Sequence, residues 1–298
     1  SSMIFNGHDC LRLSAGAVDV VVSTSVGPRV LGLITEDGSN AFAELPDMTL
    51  PCPGSTPIHL YGGHRHWAAP EDPRLTYRPD DDPVAVEELA DGVRLSTEAD
   101  AVSGTSRDTI IRVTGPQRLA VEHRVINRSQ RPQRLAAWAI TMLRPGGRAW
   151  LPLLTEPFDE GGFQGQRNIV LWSYARQDDP RLVIGDGAIE VRAREAAGLS
   201  ADDRFKVGTS LRRGWAAHWN DGVLFVKRAG HDESREYVDM GASGQIFSHV
   251  DFTELETLGP LTDLAPGEAV THTERWEVHL VGEGEAERLV MSGELDER

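Results

Sequence analysis

The chain has 298 residues, 40% of them apolar, and a formal charge of −16 at pH 7. That composition supplies a sizeable core, while the acidic balance excludes nucleic acid and an anionic membrane surface as partners, because both require a basic face. Cys10 and Cys52 are the only cysteines; two are too few for a disulfide framework or a structural zinc site, which points to a reducing cytoplasm.

The first residues, SSMIFNGHDC, lack the basic and apolar regions of a signal peptide. VDVVVSTSVGPRVLGLITEDGSN (18–40) alternates, turns at Gly27-Pro28, alternates again and stops at Asp37-Gly38. Next comes YGGHRHWAAPEDP (61–73), in which a glycine pair that loosens the backbone precedes His64, Arg65, His66 and Trp67. Asp80-Asp81-Asp82 reads as a solvated turn. GVRLSTEAD, DTIIRVTG, QRLAVEHRVINRS and QRLAAWAITML follow as strands separated by Gly, Pro and Asn. Further strands lie in RLVIGDGAIEVRA, in GWAAHWNDGVLFVKRAG with a hairpin at Asn220-Asp221-Gly222, and in GQIFSHVDFTELETLG. The last, VTHTERWEVHLVG, puts His272, Glu274, Trp276, Val278 and Leu280 on one face. Helical patterns are confined to GEGEAERLVM and a short AREAAGLSADDRF. No run reaches the ~20 apolar residues of a membrane span. Near fifteen strands without a linker or repeat predict one all-β domain over residues 1–298, a large antiparallel β-sandwich.

Two clusters carry chemistry. If GGHRHW is extended, His64 and His66 share one side of the strand, and Arg65 and Trp67 the other. Pro70 then turns the chain and lets Glu71 approach. In DFTELETLGPL, Glu254 and Glu256 share a strand face that ends at the Gly259-Pro260 turn. Two carboxylates in a cleft separate acid from base by mutual repulsion and burial. Together the pairs suggest general acid–base catalysis by His64, His66, Glu254 and Glu256. A metal site built on His64 and His66 with Glu71, or with Glu254 or Glu256, is the alternative, and no cofactor is expected. Trp67, Trp215 and Trp219 sit beside polar residues, where a flat ring suits the C–H face of a sugar; Trp138 and Trp276 read as core. Of the 30 basic residues only Lys206 and Lys227 are lysines, a bias that suggests a GC-rich bacterial genome. Arg65 and Lys206 are candidates for an anionic group on a substrate. Lys227 reads as a chance retention.

Three segments resemble the galactose mutarotase-like superfamily, the β-supersandwich of the aldose 1-epimerases. VSTSVGPRVLGLITEDGSNAF resembles its opening hairpin, YGGHRHWAAPEDP a Gly-Gly segment leading to a sugar-binding loop, and FTELETLGPLTDLAPGEAVTHTERWEV its closing block. The chain is most similar to a bacterial branch with "GGHR-W--PE" and "E-E--GP" signatures. The resemblance implies a sugar or sugar derivative as ligand. It also implies a glutamate, here Glu256, that takes the proton of the anomeric hydroxyl while a histidine, here His64 or His66, protonates the ring oxygen. The family's central histidine has no counterpart in AAWAITML (136–143), so His218 and Lys206 enter as further candidates for the proton donor. A non-catalytic carbohydrate-binding protein on the same frame is the other expectation.

Overall fold

A computed structural model describes residues 1–52 and 54–296. Among them are 22 strands, one α-helix and two short 3-10 helices, paired into two large antiparallel sheets. The expected all-β class holds, with more and shorter strands than the sequence pattern suggested. Contacts divide the chain into two compact units.

The first unit comprises Ser1–Met142 and Leu258–Trp276. One of its layers runs in the order Ser2–Phe5, His8–Ala15, Val18–Ser23, Arg29–Thr35, Ile58–Ala69, Gln133–Leu143. The other runs Ala269–Leu280, Arg118–Asn127, Thr105–Gly115, Gly92–Ser96, Ala85–Leu89. Arg118–Asn127 and Ala269–Leu280 alternate buried and solvated positions over most of their length, as a half-buried sheet requires, whereas Arg29–Thr35 and Gln133–Leu143 are buried on both faces over most of theirs. In Arg118–Asn127 the buried phase is Leu119, Val121, His123 and Val125. A histidine therefore stands where the alternation demands an apolar residue.

Gly62 and Gly63 do not loosen the chain; they lie inside the strand Ile58–Ala69. Both have positive φ, 95° and 69°. A Cβ on Gly62 would stand 1.9 Å from the carbonyl oxygen of Ala43, and one on Gly63 would stand 2.1 Å from that of Val30. The glycines let neighbouring backbone approach closely, and the strand then continues through His64–Trp67. Asp80 is buried and accepts from Arg29 Nε at 3.0 Å, so the acidic turn is tied down rather than merely solvated.

The second unit comprises Leu143–Thr257 and the segment from Glu277. Its layers are Phe252–Leu258, Gly244–His249, Phe205–Thr209, Val170–Leu171, and Leu182–Ile184, Ala188–Arg192, Arg148–Pro152, Trp215–Asn220, Val223–Arg228. The hairpin at residues 220–222 forms as expected. Asp221 and Gly222 have φ of 47° and 83°, the left-handed values that a two-residue turn needs. The helix Glu283–Met291 buries Ala286, Leu289 and Val290, spaced for one face, against Trp150, Trp215 and Leu224. The second helical pattern yields only the 3-10 turn Ala193–Ala196. No helix among the described residues is long and apolar enough to cross a membrane.

Candidate functional site

The strand Ile58–Ala69 sorts its side chains as the alternation predicts. Arg65 and Trp67 share one face, with the guanidinium carbon 4.0 Å from the ring centre. Trp67 meets Trp138 edge-on at 5.5 Å and Tyr77 at 5.1 Å. Strand register explains the first contact, because Trp138 pairs directly with Trp67. Both indoles are buried. Glu71 is exposed past the Pro70 turn and accepts from the Tyr77 hydroxyl at 2.9 Å.

His64 and His66 occupy the opposite face and are buried. His66 has both ring nitrogens engaged. Its Nε2 donates to the Arg124 carbonyl at 3.2 Å, and its Nδ1 lies 3.2 Å from Thr109 Oγ1. Burial, then the nearby His123 and the Arg107 guanidinium, hold its pKa well below the usual imidazole value. His66 is therefore a neutral hydrogen-bonded core residue, and it does not join His64 and Glu71 in a ligand set.

The company His64 keeps is different. Its Nδ1 lies 2.8 Å from Thr141 Oγ1, the residue paired with it across the sheet. Its Nε2 lies 2.7 Å from His123 Nε2. His123 Nδ1 donates to the His272 carbonyl at 2.7 Å. Glu274 Oε1 stands 3.9 Å from both Nε2 atoms and accepts from Trp276 Nε1 at 3.1 Å. Trp276 packs edge-on to His64 with centres 4.7 Å apart. His64, His123 and Glu274 are the one trio of potential metal-ligating residues with mutually close donor atoms among the described residues.

Sequence reasoning missed this trio, although it left signals. The polar face of the last strand was visible, and His123 breaks the apolar phase of its own strand. What strand patterns do not supply is the stacking of one layer on the other, which sets His64 against His123.

In the second unit, Glu256 and Lys206 meet. Lys206 Nζ donates to Glu256 Oε1 at 3.2 Å and lies 4.7 Å from the centre of the Trp172 ring. Both charged groups are buried, and Trp172 is half-buried. Glu254 is half-buried two residues earlier on the same strand, paired with Phe247. Pairing Lys206 with that same Phe247 brings the three strands into register. The arrangement offers a carboxylate that accepts a proton, an ammonium that donates one, and an aromatic surface.

The remaining candidates pack in or against the core of the second unit. Trp215 is fully buried under the helix and donates its Nε1 to Asp296 at 3.0 Å. Trp219 is half-buried, with its Nε1 on the Val281 carbonyl. His218 is buried on the strand Trp215–Asn220, and burial pushes its pKa down to about 4. Lys227, read from the sequence as a chance retention, is an interior residue. It is fully buried and donates to the Leu255 carbonyl at 2.9 Å. The two lysines of the chain are thus both interior.

No protein-family model and no curated protein matches the chain by sequence. Solved structures do match. A candidate aldose 1-epimerase from Klebsiella pneumoniae superposes with a TM-score of 0.59 at 11% identity, over 97% of this chain and 83% of that one. A galactose mutarotase-like protein from Lactobacillus casei gives 0.53 at 11% identity, over 91% and 100%. A candidate aldose 1-epimerase from Escherichia coli K12 gives 0.51 at 13% identity, over 91% and 99%. At such identities the likeness establishes architecture, and the chain has the galactose mutarotase-like β-supersandwich fold.

Proposed function

We propose that the chain is a carbohydrate-acting protein, an aldose 1-epimerase-like sugar isomerase working on a small sugar or sugar derivative in the cytoplasm. The observation that carries the reading is the convergence of Glu256, Lys206 and Trp172 in a fold shared with candidate aldose 1-epimerases. Fold alone does not select a reaction; the chemistry of these three groups supports this one.

In this reading the Glu256 carboxylate takes the proton of the anomeric hydroxyl. The electron pair left on that oxygen forms the aldehyde carbonyl as the C1–O5 bond breaks, and the Lys206 ammonium protonates O5. Rotation about C1–C2 and reversal of both transfers closes the other anomer, with no net change in protons. Trp172 offers a ring face to the sugar's C–H groups. Glu254 supplies further negative charge on the same strand face. His64 and His66 are assigned no proton transfer, since both ring nitrogens of each are engaged in the first unit's hydrogen-bond network.

Exchange NMR of anomer interconversion tests this on neutral hexoses, hexose phosphates and uronic acids. The wild-type chain accelerates exchange of one class. Glu256→Gln abolishes the acceleration while saturable sugar binding persists. Full activity in Glu256→Gln, or no acceleration of any sugar, overturns the isomerase. The missing central histidine favours a second reading, a carbohydrate-binding protein without turnover; calorimetric binding lost in Trp67→Ala, with no product from any sugar, would support it.

A further inference from the structure

Besides the Glu256 and Lys206 pair, the molecule holds a second polar cluster to which the isomerase reading gives no task. We propose that His64, His123 and Glu274 form a binding site for a divalent transition-metal cation, zinc by its ligand set, inside the first unit.

His64 Nε2, His123 Nε2 and Glu274 Oε1 make a triangle with sides 2.7, 3.9 and 3.9 Å. The centre of such a triangle lies about 2.1 Å from each corner, within the ~2.0–2.2 Å that zinc takes to imidazole nitrogen and carboxylate oxygen. The carboxylate oxygen stands equally far from both imidazoles, beyond hydrogen-bond reach of either. A cation at the centre would engage all three atoms at once.

The surroundings point the same way. A ligating histidine uses its second ring nitrogen to fix its tautomer. His123 does so by giving its Nδ1 proton to the His272 carbonyl, which leaves a lone pair on Nε2 facing the centre. His64 can do the same through Nδ1 and Thr141 Oγ1. Trp276 Nε1 binds the ligating oxygen of Glu274 and its ring buttresses His64. Each ligand is thus oriented by a partner on its own strand or on an adjacent one. The ligand set, two borderline nitrogens and one carboxylate, suits zinc better than magnesium or calcium, which prefer all-oxygen sites.

The three ligands come from Ile58–Ala69, Arg118–Asn127 and Ala269–Leu280, strands of both layers of the unit, and all are at most 1% exposed. A cation there ties the layers together, so its role is structural, and metal binding contributes directly to folding. As it filled a tetrahedral site, the two nitrogens would move apart toward the ~3.3 Å that such bond lengths impose.

The test is elemental analysis of tag-free protein expressed in zinc-supplemented medium and dialysed against metal-free buffer. About one zinc per chain is expected. Glu274→Gln should weaken retention by about tenfold or more, and His123→Ala should abolish it. In case a variant fails to fold, the wild-type chain is also prepared with cobalt. Visible absorption of tetrahedral cobalt that a chelator bleaches, with a fall in unfolding temperature, supports the site. Substoichiometric metal in the wild-type chain, with an unfolding temperature indifferent to zinc and chelator, overturns it and leaves a histidine pair sharing a proton. Neither result bears on the isomerase reading, whose groups lie in the other unit.

Discussion

Replacing Lys206 with Met tests the reading of the Glu256 site most directly. The two charges are 3.2 Å apart, with 7% and 1% of their side chains exposed. At that distance unit charges attract by about 5 kcal/mol for an effective dielectric of ~20. Desolvation of both groups offsets much of this, so the net worth of the intact pair is small. The loss on breaking it is large, because Glu256 is then left in the interior without its ammonium. Lys206→Met should therefore lower stability by about 3–5 kcal/mol. Lys206→Met/Glu256→Gln should recover part of the loss, with a coupling energy of about 2 kcal/mol, within the range for groups in contact. The assay is urea unfolding of the wild type, both single variants and the double variant. A coupling below ~0.5 kcal/mol would refute the claim that the pair acts as a unit. Exchange NMR on Lys206→Met adds the functional half: anomer exchange falls to background while sugar binding survives. Undiminished exchange would remove Lys206 as the proton donor.

Gly63→Ala puts a methyl 2.1 Å from the Val30 carbonyl oxygen at a φ of 69°, and should cost more than ~3 kcal/mol or prevent soluble expression; an unfolding temperature within ~2 °C of wild type would contradict the close approach. His218 has a folded pKa of about 4, below its ordinary value of 6.5. As pH falls the unfolded chain takes up that proton first, so stability drops by about 3 kcal/mol between pH 6.5 and 4 and is flat below. His218→Leu should flatten the profile by that amount, and an unchanged slope would show that His218 is not held neutral. Glu277 shows the opposite case: the His279 imidazole, and after it the Arg228 guanidinium, hold its carboxyl down to about 2 from 4.5. Its contribution is present above pH 4.5 and is lost as pH falls through 2. Glu277→Gln should therefore destabilise near neutrality, with the difference from wild type shrinking between pH 4.5 and 2.

Local patterns of strand alternation and turn residues determined the all-β class, the hairpin at residues 220–222 and the single helix from Glu283, because each depends on neighbours a few positions away. Alternation also assigned the faces of His64, Arg65, His66 and Trp67 correctly, since side chains on an extended strand can only go to one side or the other. The glycines before them were visible but misread. Their purpose is the carbonyls of Ala43 and Val30, and nothing in the local sequence names those partners. Charged residues that end up interior were the least legible. Lys206 and Lys227 look like ordinary polar positions until strands from elsewhere in the chain bring Glu256 and the Leu255 carbonyl to them. His66 and His218 read as reactive until burial is known, and burial is what makes them neutral. His64, His123 and Glu274 are separated by 59 and 151 positions in the sequence. Which of the many histidines and carboxylates meet is decided by strand order and the stacking of two layers. These long-range choices satisfy the whole core at once, and no single segment encodes them.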